Sequence, residues 1–184
     1  MTVKLYLKNM LSVPRIQDST VKILLAAIAT GAVPLYIKYS PLARKQLKEC
    51  FSIVAEQVAN CGGESIFGWA ILQLDGIWLE AEFHAIWQDL NGNLLDVTPR
   101  EFPFPQVLFL PDPTLKYEGI QVESFFHPLT GHPAVLRNIV LQHELYIELN
   151  RGALAYASSC PSTQRIRGIK AELEYTLNQF PWQN

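Results

Sequence analysis

The sequence predicts an α+β domain in which an antiparallel sheet packs against helices. Three observations support this class: apolar residues at helical spacing before residue 60, three apolar segments joined by the turn signals Asp75-Gly76 and Asn91-Gly92, and a second helical pattern after residue 135. The chain has 184 residues, of which 49% are hydrophobic and 17% charged, which suits one globular domain with a full core. We therefore expect a single domain over 1–184, with its core at about 20–110.

The first apolar segment, 23-ILLAAIATGAVPLYI-37, predicts a helix that is followed by a strand. Gly31 and Pro34 interrupt it, and it is shorter than the ~20 residues that a membrane-spanning helix needs. We therefore expect a buried helix over about 20–30 and a strand over 33–39, with no membrane span.

A second helix is predicted over 42–60, because apolar residues recur there at helical spacing. Ser40-Pro41 is typical of a helix start, and Cys61-Gly62-Gly63 is typical of a helix end. The residues that form the apolar stripe of this helix are Leu47, Phe51, Val54 and Val58.

The middle of the chain predicts three strands, at 67–74, 78–87 and 94–98. The two Xaa-Gly turns between them are typical of β-hairpins, so neighbouring strands should pair antiparallel. Strand alternation places Glu80, Glu82 and His84 on one face of the second strand and apolar side chains on the other. The apolar face should meet the core, which leaves the polar face for solvent or for a site.

The remaining segment begins with a stretch rich in proline. Seven prolines lie between 99 and 133, which indicates a long irregular segment with one strand at 106–110. Two helices are predicted to follow, over 135–157 and 163–178. These C-terminal helices, at 135–178 as a whole, should complete the layer that covers the sheet.

Charge and cysteine content exclude several classes of function. The formal net charge is −2, so no basic surface for nucleic acid is expected. Cys50, Cys61 and Cys160 show neither a Cys-x-x-Cys spacing nor a Cys/His pattern, so we expect no metal and no cofactor. Their odd number favours a reducing compartment over a secreted disulfide framework, and we expect the protein in the cytoplasm.

Three side chains have the types and the order of a cysteine-based catalytic site. Cys50 lies on a predicted helix, His84 on a strand and Asp96 on the next strand. A neighbouring imidazole activates a thiol, and an acid orients the imidazole. A two-residue turn at Asn91-Gly92 would put Asp96 and His84 on opposite faces, whereas a five-residue loop over 88–92 would pair them directly. The triad therefore requires the longer loop or a bulge.

The stretches 84-HAIW-87 and 96-DVTP-99 resemble the transglutaminase-like branch of the papain-like superfamily, in which a His-Ala-Trp context precedes an Asp-Pro-Thr context. The wider block of ECF, GGESIFGWAI, EAEFHAIW and LLDVTP is also similar to a group of uncharacterised bacterial proteins. The resemblance covers about residues 33–100. It implies a papain-like core with Cys50 as nucleophile, His84 as base and Asp96 as orienting group.

The resemblance implies a cysteine hydrolase or acyltransferase that acts on an amide or thioester in a peptide, a protein or a small molecule. Two departures keep an alternative open, namely a non-catalytic protein- or peptide-binding domain on the same fold. A helix that continued upstream through 42–49 would remove Cys50 from the helix N-terminus, and Arg44 stands where papain-like enzymes have glutamine. The oxyanion donors are therefore unassigned. In the alternative, Cys50 is an inert core residue and the segment 99–133 is the contact surface.

Two further residues are candidates for contact with a substrate, Trp69 and Glu82. The spacing of Trp69 is equally typical of a core aromatic residue. Glu80, Glu82 and His84 contain the side-chain types of a metal site, but residues at i, i+2 and i+4 spread over ~13 Å of a strand. We therefore expect no metal there.

Overall fold

The computed structural model describes residues 8–28, 31–47, 49–120, 122–151 and 161–182. It contains both helices and a strand-rich sheet, so the predicted α+β class is confirmed. The elements in chain order are β1 (Leu11–Ser12), α1 (Ser19–Ile28), β2 (Leu35–Tyr39), α2 (Cys50–Cys61), β3 (Glu64–Leu74), β4 (Trp78–Gln88), β5 (Leu94–Asp96), β6 (Gln106–Pro111), β7 (Phe125–Pro128), α3 (Pro133–Leu149) and α4 (Thr163–Leu177).

Five strands close into a barrel in the order β3, β6, β2, β5, β4, and β4 returns to β3. The predicted antiparallel sheet is wrong in one pairing, because β2 and β5 run parallel with Tyr39 beside Asp96. A parallel pair joins strands that are distant in sequence, so hairpin turn signals cannot reveal it. The short strands β1 and β7, which the sequence pattern does not predict, extend the sheet beside β3 and β4.

At its C-terminal end, β4 alternates side chains between the barrel interior and the layer of helices. Ile86, Ile37 and Phe109 are at most 1% exposed and form a cluster with partners from all five barrel strands, so they fill the barrel. The opposite face of β4 packs through Phe83 against α1 and through Ala85 against α2. Helices therefore cover the outside of the barrel while its interior is closed by side chains.

Gly68 allows β3 and β6 to approach closely where the barrel closes. A Cβ atom added there would lie 2.3 Å from the carbonyl oxygen of Leu110. Because that obstacle is backbone, a larger residue would displace β6.

Helix α2 begins at Cys50, so the predicted start near residue 42 is wrong. The backbone N–H of Ser40 donates to the Asp96 carbonyl at 2.8 Å, and the N–H of Leu42 donates to the Val97 carbonyl at 3.0 Å. These two bonds hold residues 40–42 beside the end of β5, in a conformation that is not helical. Arg44, with φ of 63°, then adopts the left-handed conformation that interrupts any helical run.

The two predicted C-terminal helices are present as α3 and α4, which pack against each other. Helix α3 ends at Leu149, earlier than predicted, and the predicted part at 152–157 lies outside the described residues, as do residues 29–30 of the first predicted helix. Trp78 of β4 packs with Val135 of α3 and with Phe180, which joins this helical pair to the sheet. Within the described ranges, no helix combines the length and the apolar character needed to cross a bilayer.

Candidate active site

Cys50 is the first residue of α2, and its side chain is 5% exposed. The backbone N–H groups of a first helical turn lack intrahelical partners and carry partial positive charge, an environment that favours a thiolate. The side chain of Glu49, the residue that precedes the helix, makes no capping hydrogen bond. The helix does not extend upstream through 42–49, and Cys50 lies at its N-terminus.

His84 lies in the middle of β4 and is 3% exposed. Its Nε2 atom is 3.1 Å from Oδ1 of Asp96. Cys50 is close enough to this imidazole for its thiol to raise the pKa of His84. Since Nε2 faces the carboxylate, Nδ1 is the ring atom left for the thiol, which brings Cys50, His84 and Asp96 together in that order.

Asp96 and His84 share a face because of the loop between β4 and β5. Gln88 pairs with Leu94, which leaves a five-residue loop at 89–93. The Asp89 carboxylate fixes this loop by accepting hydrogen bonds from the N–H groups of Asn91 and Asn93, each at 2.8 Å. The loop has the expected length but starts one residue later than 88–92, so Asp96 is diagonal to His84 rather than directly opposite. The alternative prediction, a two-residue turn at Asn91-Gly92, is therefore wrong.

Arg100 is a member of this cluster that the sequence pattern does not predict. Its Nε and Nη2 atoms donate to Oδ2 of Asp96 at 3.2 and 3.1 Å, and Nη2 lies 3.3 Å from Nε2 of His84. The N–H of Thr98 donates to Oδ1 of Asp96 at 3.2 Å, so both carboxylate oxygens have partners. An arginine four residues after an acid at a strand end is the only signal that could have indicated this contact.

Asp96 stabilises the positive charges of His84 and Arg100, which repel each other. Burial alone would lower the pKa of His84, but the charge and hydrogen bond of Asp96, together with the neighbouring Cys50, raise it to about 9, and Arg100 opposes this rise. Burial alone would raise the pKa of Asp96, but His84 and Arg100 hold it below its usual range. At neutral pH the structure therefore favours a protonated imidazole beside the Cys50 thiol and an ionised Asp96.

Cys50 and His84 line a cleft of about 420 Å³. One wall is the polar face of β4, which includes Glu82, and the opposite wall comes from α3 and α4. The segment that follows β5, at 98–102, and Phe104 form the rim. The site is thus buried at its base and open toward a space large enough for part of a peptide or a small molecule.

The two predicted substrate-contact residues have different locations. Glu82 lines the cleft, and its side chain is 38% exposed. Trp69 is 3% exposed, packs with α1 on the other face of the sheet and donates its indole N–H to Asp112 at 3.1 Å. Trp69 is therefore a core residue, and its predicted contact with a substrate is not supported.

The other cysteines lie away from this cluster or are not described. Cys61 is a free, exposed thiol at the last residue of α2, and Cys160 lies outside the described residues. Across the described part of the chain, no group of three or more His, Cys, Asp or Glu side chains is arranged to hold a metal ion.

Comparisons of the chain with protein-family models, with curated proteins and with solved structures find no match. Function must therefore be inferred from the side chains themselves. A thiol at a helix N-terminus, a buried imidazole and a fully bonded carboxylate can together support nucleophilic attack, proton transfer and the orientation that proton transfer requires.

Proposed function

We propose that the protein is a cysteine hydrolase or acyltransferase with a papain-like or transglutaminase-like core, acting on an amide or thioester. The observation that carries the proposal is the convergence of Cys50, at a helix N-terminus, with the hydrogen-bonded pair of His84 and Asp96 at the base of an open cleft. The substrate class is an amide-containing peptide, protein or small molecule. A reducing compartment would keep Cys50 reactive, so the proposal includes a cytoplasmic location.

In the proposed reaction the sulfur of Cys50 attacks the carbonyl carbon of the substrate. The C–N or C–S bond of the substrate breaks, and the protonated His84 gives its proton to the leaving amine or thiol. Water or a second amine then attacks the acyl-sulfur bond while His84 takes up the proton, and the thiolate leaves. Asp96 keeps the imidazole oriented throughout and stabilises its charged form.

The first turn of α2 is the proposed source of the oxyanion donors. Its backbone N–H groups have no intrahelical acceptors and lie beside the attacking sulfur, where negative charge develops on the carbonyl oxygen. This assignment needs no side chain, so the Arg44 that stands in place of the family's glutamine does not argue against the proposal.

A non-catalytic peptide-binding domain is the alternative. It would be favoured by a Cys50 thiol out of reach of His84, whereas the thiol is close enough to raise the pKa of this imidazole. The position of the thiol therefore supports the enzyme.

The two ends of α2 provide the test. Cys50 begins the helix next to His84, and the exposed Cys61 ends it, so Cys61 is an internal control on the same element. The full chain is treated with iodoacetamide between pH 5 and 9, and each cysteine is followed by peptide mass spectrometry. We expect Cys50 to react roughly tenfold faster than Cys61 at pH 6, because only Cys50 has an imidazole and a helix N-terminus beside its sulfur.

Substitution of His84 by Ala should remove this advantage of Cys50 while Cys61 keeps its rate. Equal rates for the two cysteines of the unsubstituted chain at pH 6 would overturn the proposal, since an activated thiolate is its first requirement.

A further inference from the structure

The cleft is elongated along β4, a shape that the proposed reaction does not by itself require. It follows the polar face of β4 from His84 past Glu82 and Glu80 to Trp78. At a rise of about 3.3 Å per residue, this path is about 20 Å long, which is the length of roughly six residues of extended chain. A cleft of this shape is matched to a peptide segment better than to a compact metabolite.

Carboxylates outnumber cationic groups on the walls of the cleft. Four carboxylates line it against two cationic groups, the guanidinium of Arg100 and the imidazole of His84, among the described lining residues. The four are Glu80, Glu82, Glu101 and Glu174. Asp96 is bonded to both cationic groups and offsets one of their charges, and Arg100 also forms a long ion pair with Glu82, at 3.9 Å.

Glu82 is the acid closest along β4 to His84. Its Oε2 atom is 3.9 Å from Nη1 of Arg100, which is beyond hydrogen-bond distance. A carboxylate has about four acceptor positions, so Glu82 keeps most of its capacity for a ligand in the cleft. Two residues of strand separate it from His84, about 7 Å, a distance that a lysine or arginine side chain can span.

Thr98 supplies an independent sign that the cleft receives a ligand. It lines the cleft and is 1% exposed, and its Oγ1 atom has no hydrogen-bond partner among the described residues. Buried hydroxyl groups are almost always hydrogen-bonded, because an unsatisfied one loses its hydration without replacement. A peptide group of a bound segment would satisfy it.

The remainder of the cleft is apolar. Residues from the sheet, the rim and α4 contribute aliphatic and aromatic surface that would cover the stem of a cationic side chain and its neighbours. These residues are Leu72, Leu74, Trp78, Phe102, Phe104 and Leu177.

We propose that the cleft binds an extended peptide segment in which a lysine or arginine side chain adjoins the carbonyl group that Cys50 attacks, and that Glu82 contacts this cation. Thr98 hydrogen-bonds to the peptide backbone. The inference rests on the proposed function and adds the substrate class to it.

Two active-site-directed probes of equal length test the inference on the full chain at pH 7. They are acetyl-alanyl-lysine chloromethyl ketone and the matching norleucine compound, which differ only in the terminal ammonium group. Alkylation of Cys50 is followed by intact mass. We expect the lysine probe to react roughly tenfold faster, the value of one hydrogen-bonded charge pair.

Glu82→Gln should remove most of this preference, and Glu64→Gln, at an exposed position at the start of β3 outside the cleft, should retain it. Equal rates for the two probes would overturn the inference, and so would a preference that survives Glu82→Gln. Rapid iodoacetamide labelling of Cys50 with no preference between probes would refute the substrate class alone. Slow labelling of Cys50 by all three reagents would refute the proposed function with it.

Discussion

Asp96 and Glu148 are two buried carboxylates with nearly the same local partners. Asp96 ends β5 and binds Arg100, four residues later, and the N–H of Thr98. Glu148 lies in the last turn of α3 and binds Arg151, three residues later, at 2.9 Å, and the N–H of Ser162 at 2.7 Å. The pKa of each is lowered, that of Glu148 mainly by its hydrogen bond from Arg151.

The third partner distinguishes the two carboxylates. For Asp96 it is His84, which continues to the Cys50 thiol and an open cleft. For Glu148 it is Arg165, so that the acid connects the end of α3 to the beginning of α4. A buried acid bound to arginine is therefore not by itself a sign of a functional site. The titratable and nucleophilic neighbours decide its role, and substitutions should affect reactivity at one acid and stability at the other.

The largest effect is expected from Asp96→Asn. The amide keeps the shape of the carboxylate but removes the charge that stabilises a protonated His84, so Cys50 loses its activation. Alkylation of Cys50 by iodoacetamide at pH 7 should slow by roughly tenfold, since an unassisted thiol is only a few per cent ionised there. Circular dichroism should show a folded protein. An unchanged rate of Cys50 alkylation in a folded variant would show that Asp96, like Glu148, has only a structural role.

The second effect is expected from Glu148→Gln. A neutral amide cannot satisfy Arg151, Arg165 and the N–H of Ser162 together, so the junction of α3 and α4 is weakened. The Tm should fall by more than in Glu172→Gln, whose carboxylate on α4 is 44% exposed, while the rate at Cys50 stays within about twofold. A large loss of Cys50 reactivity here would show that the two regions are coupled.

The third expected effect is a difference between the two regions in how their contributions to stability depend on pH. The pKa of His84 is raised to about 9, so its contribution to stability is complete below about pH 6.5 and is lost as the pH rises through 9. Asp96 and Glu148 have lowered pKa values, and their contributions are lost on acidification. Urea unfolding between pH 7 and 9 should show a fall of up to about 1.4 kcal/mol per pH unit that His84→Gln removes and Glu148→Gln retains.

The smallest effect is expected from Arg165→Gln. The Arg165 side chain is 58% exposed and its Nε lies 3.4 Å from Glu148, so it behaves as a surface partner. The free energy of unfolding should change by about 0.5 kcal/mol or less. Arg100→Gln is the matched substitution at the other acid, where the guanidinium is only 12% exposed, and it should cost more. Equal costs in urea titrations would contradict the difference between the sites.

Local patterns predicted most of the elements but not the closure of the barrel. Alternation in β4 and helical spacing in α2 depend on neighbouring residues, which the sequence displays directly. The parallel pairing of β2 with β5 and the start of α2 at Cys50 depend on hydrogen bonds from Ser40 and Leu42 to a strand far along the chain. Tertiary contacts of this kind override helical spacing, which is why the predicted helix began too early.

The candidate site, like the fold, was only partly predictable from local sequence patterns. The order of Cys50, His84 and Asp96 and the need for a five-residue loop followed from motif and strand geometry. The contacts of Arg100, and the unsatisfied hydroxyl of Thr98, depend on how the chain turns after β5. Trp69 was predicted to contact a substrate but lies in the core, because an aromatic residue on a strand packs in a core as readily as it lines a cleft.

The parallel pairing of β2 with β5 also affects how the molecule folds. The two strands are separated in sequence by α2, β3 and β4. The chain must therefore lose the conformational entropy of closing that long loop before the pairing stabilises it. The β3–β4 hairpin, by contrast, joins neighbouring segments and can form early. We therefore expect His84 to reach its place on the hairpin before Asp96 arrives beside Tyr39. Because only a five-residue loop joins β5 to β4, His84 and Asp96 can meet before that pairing forms. During synthesis and refolding, the imidazole and its acid would then be assembled before the barrel closes.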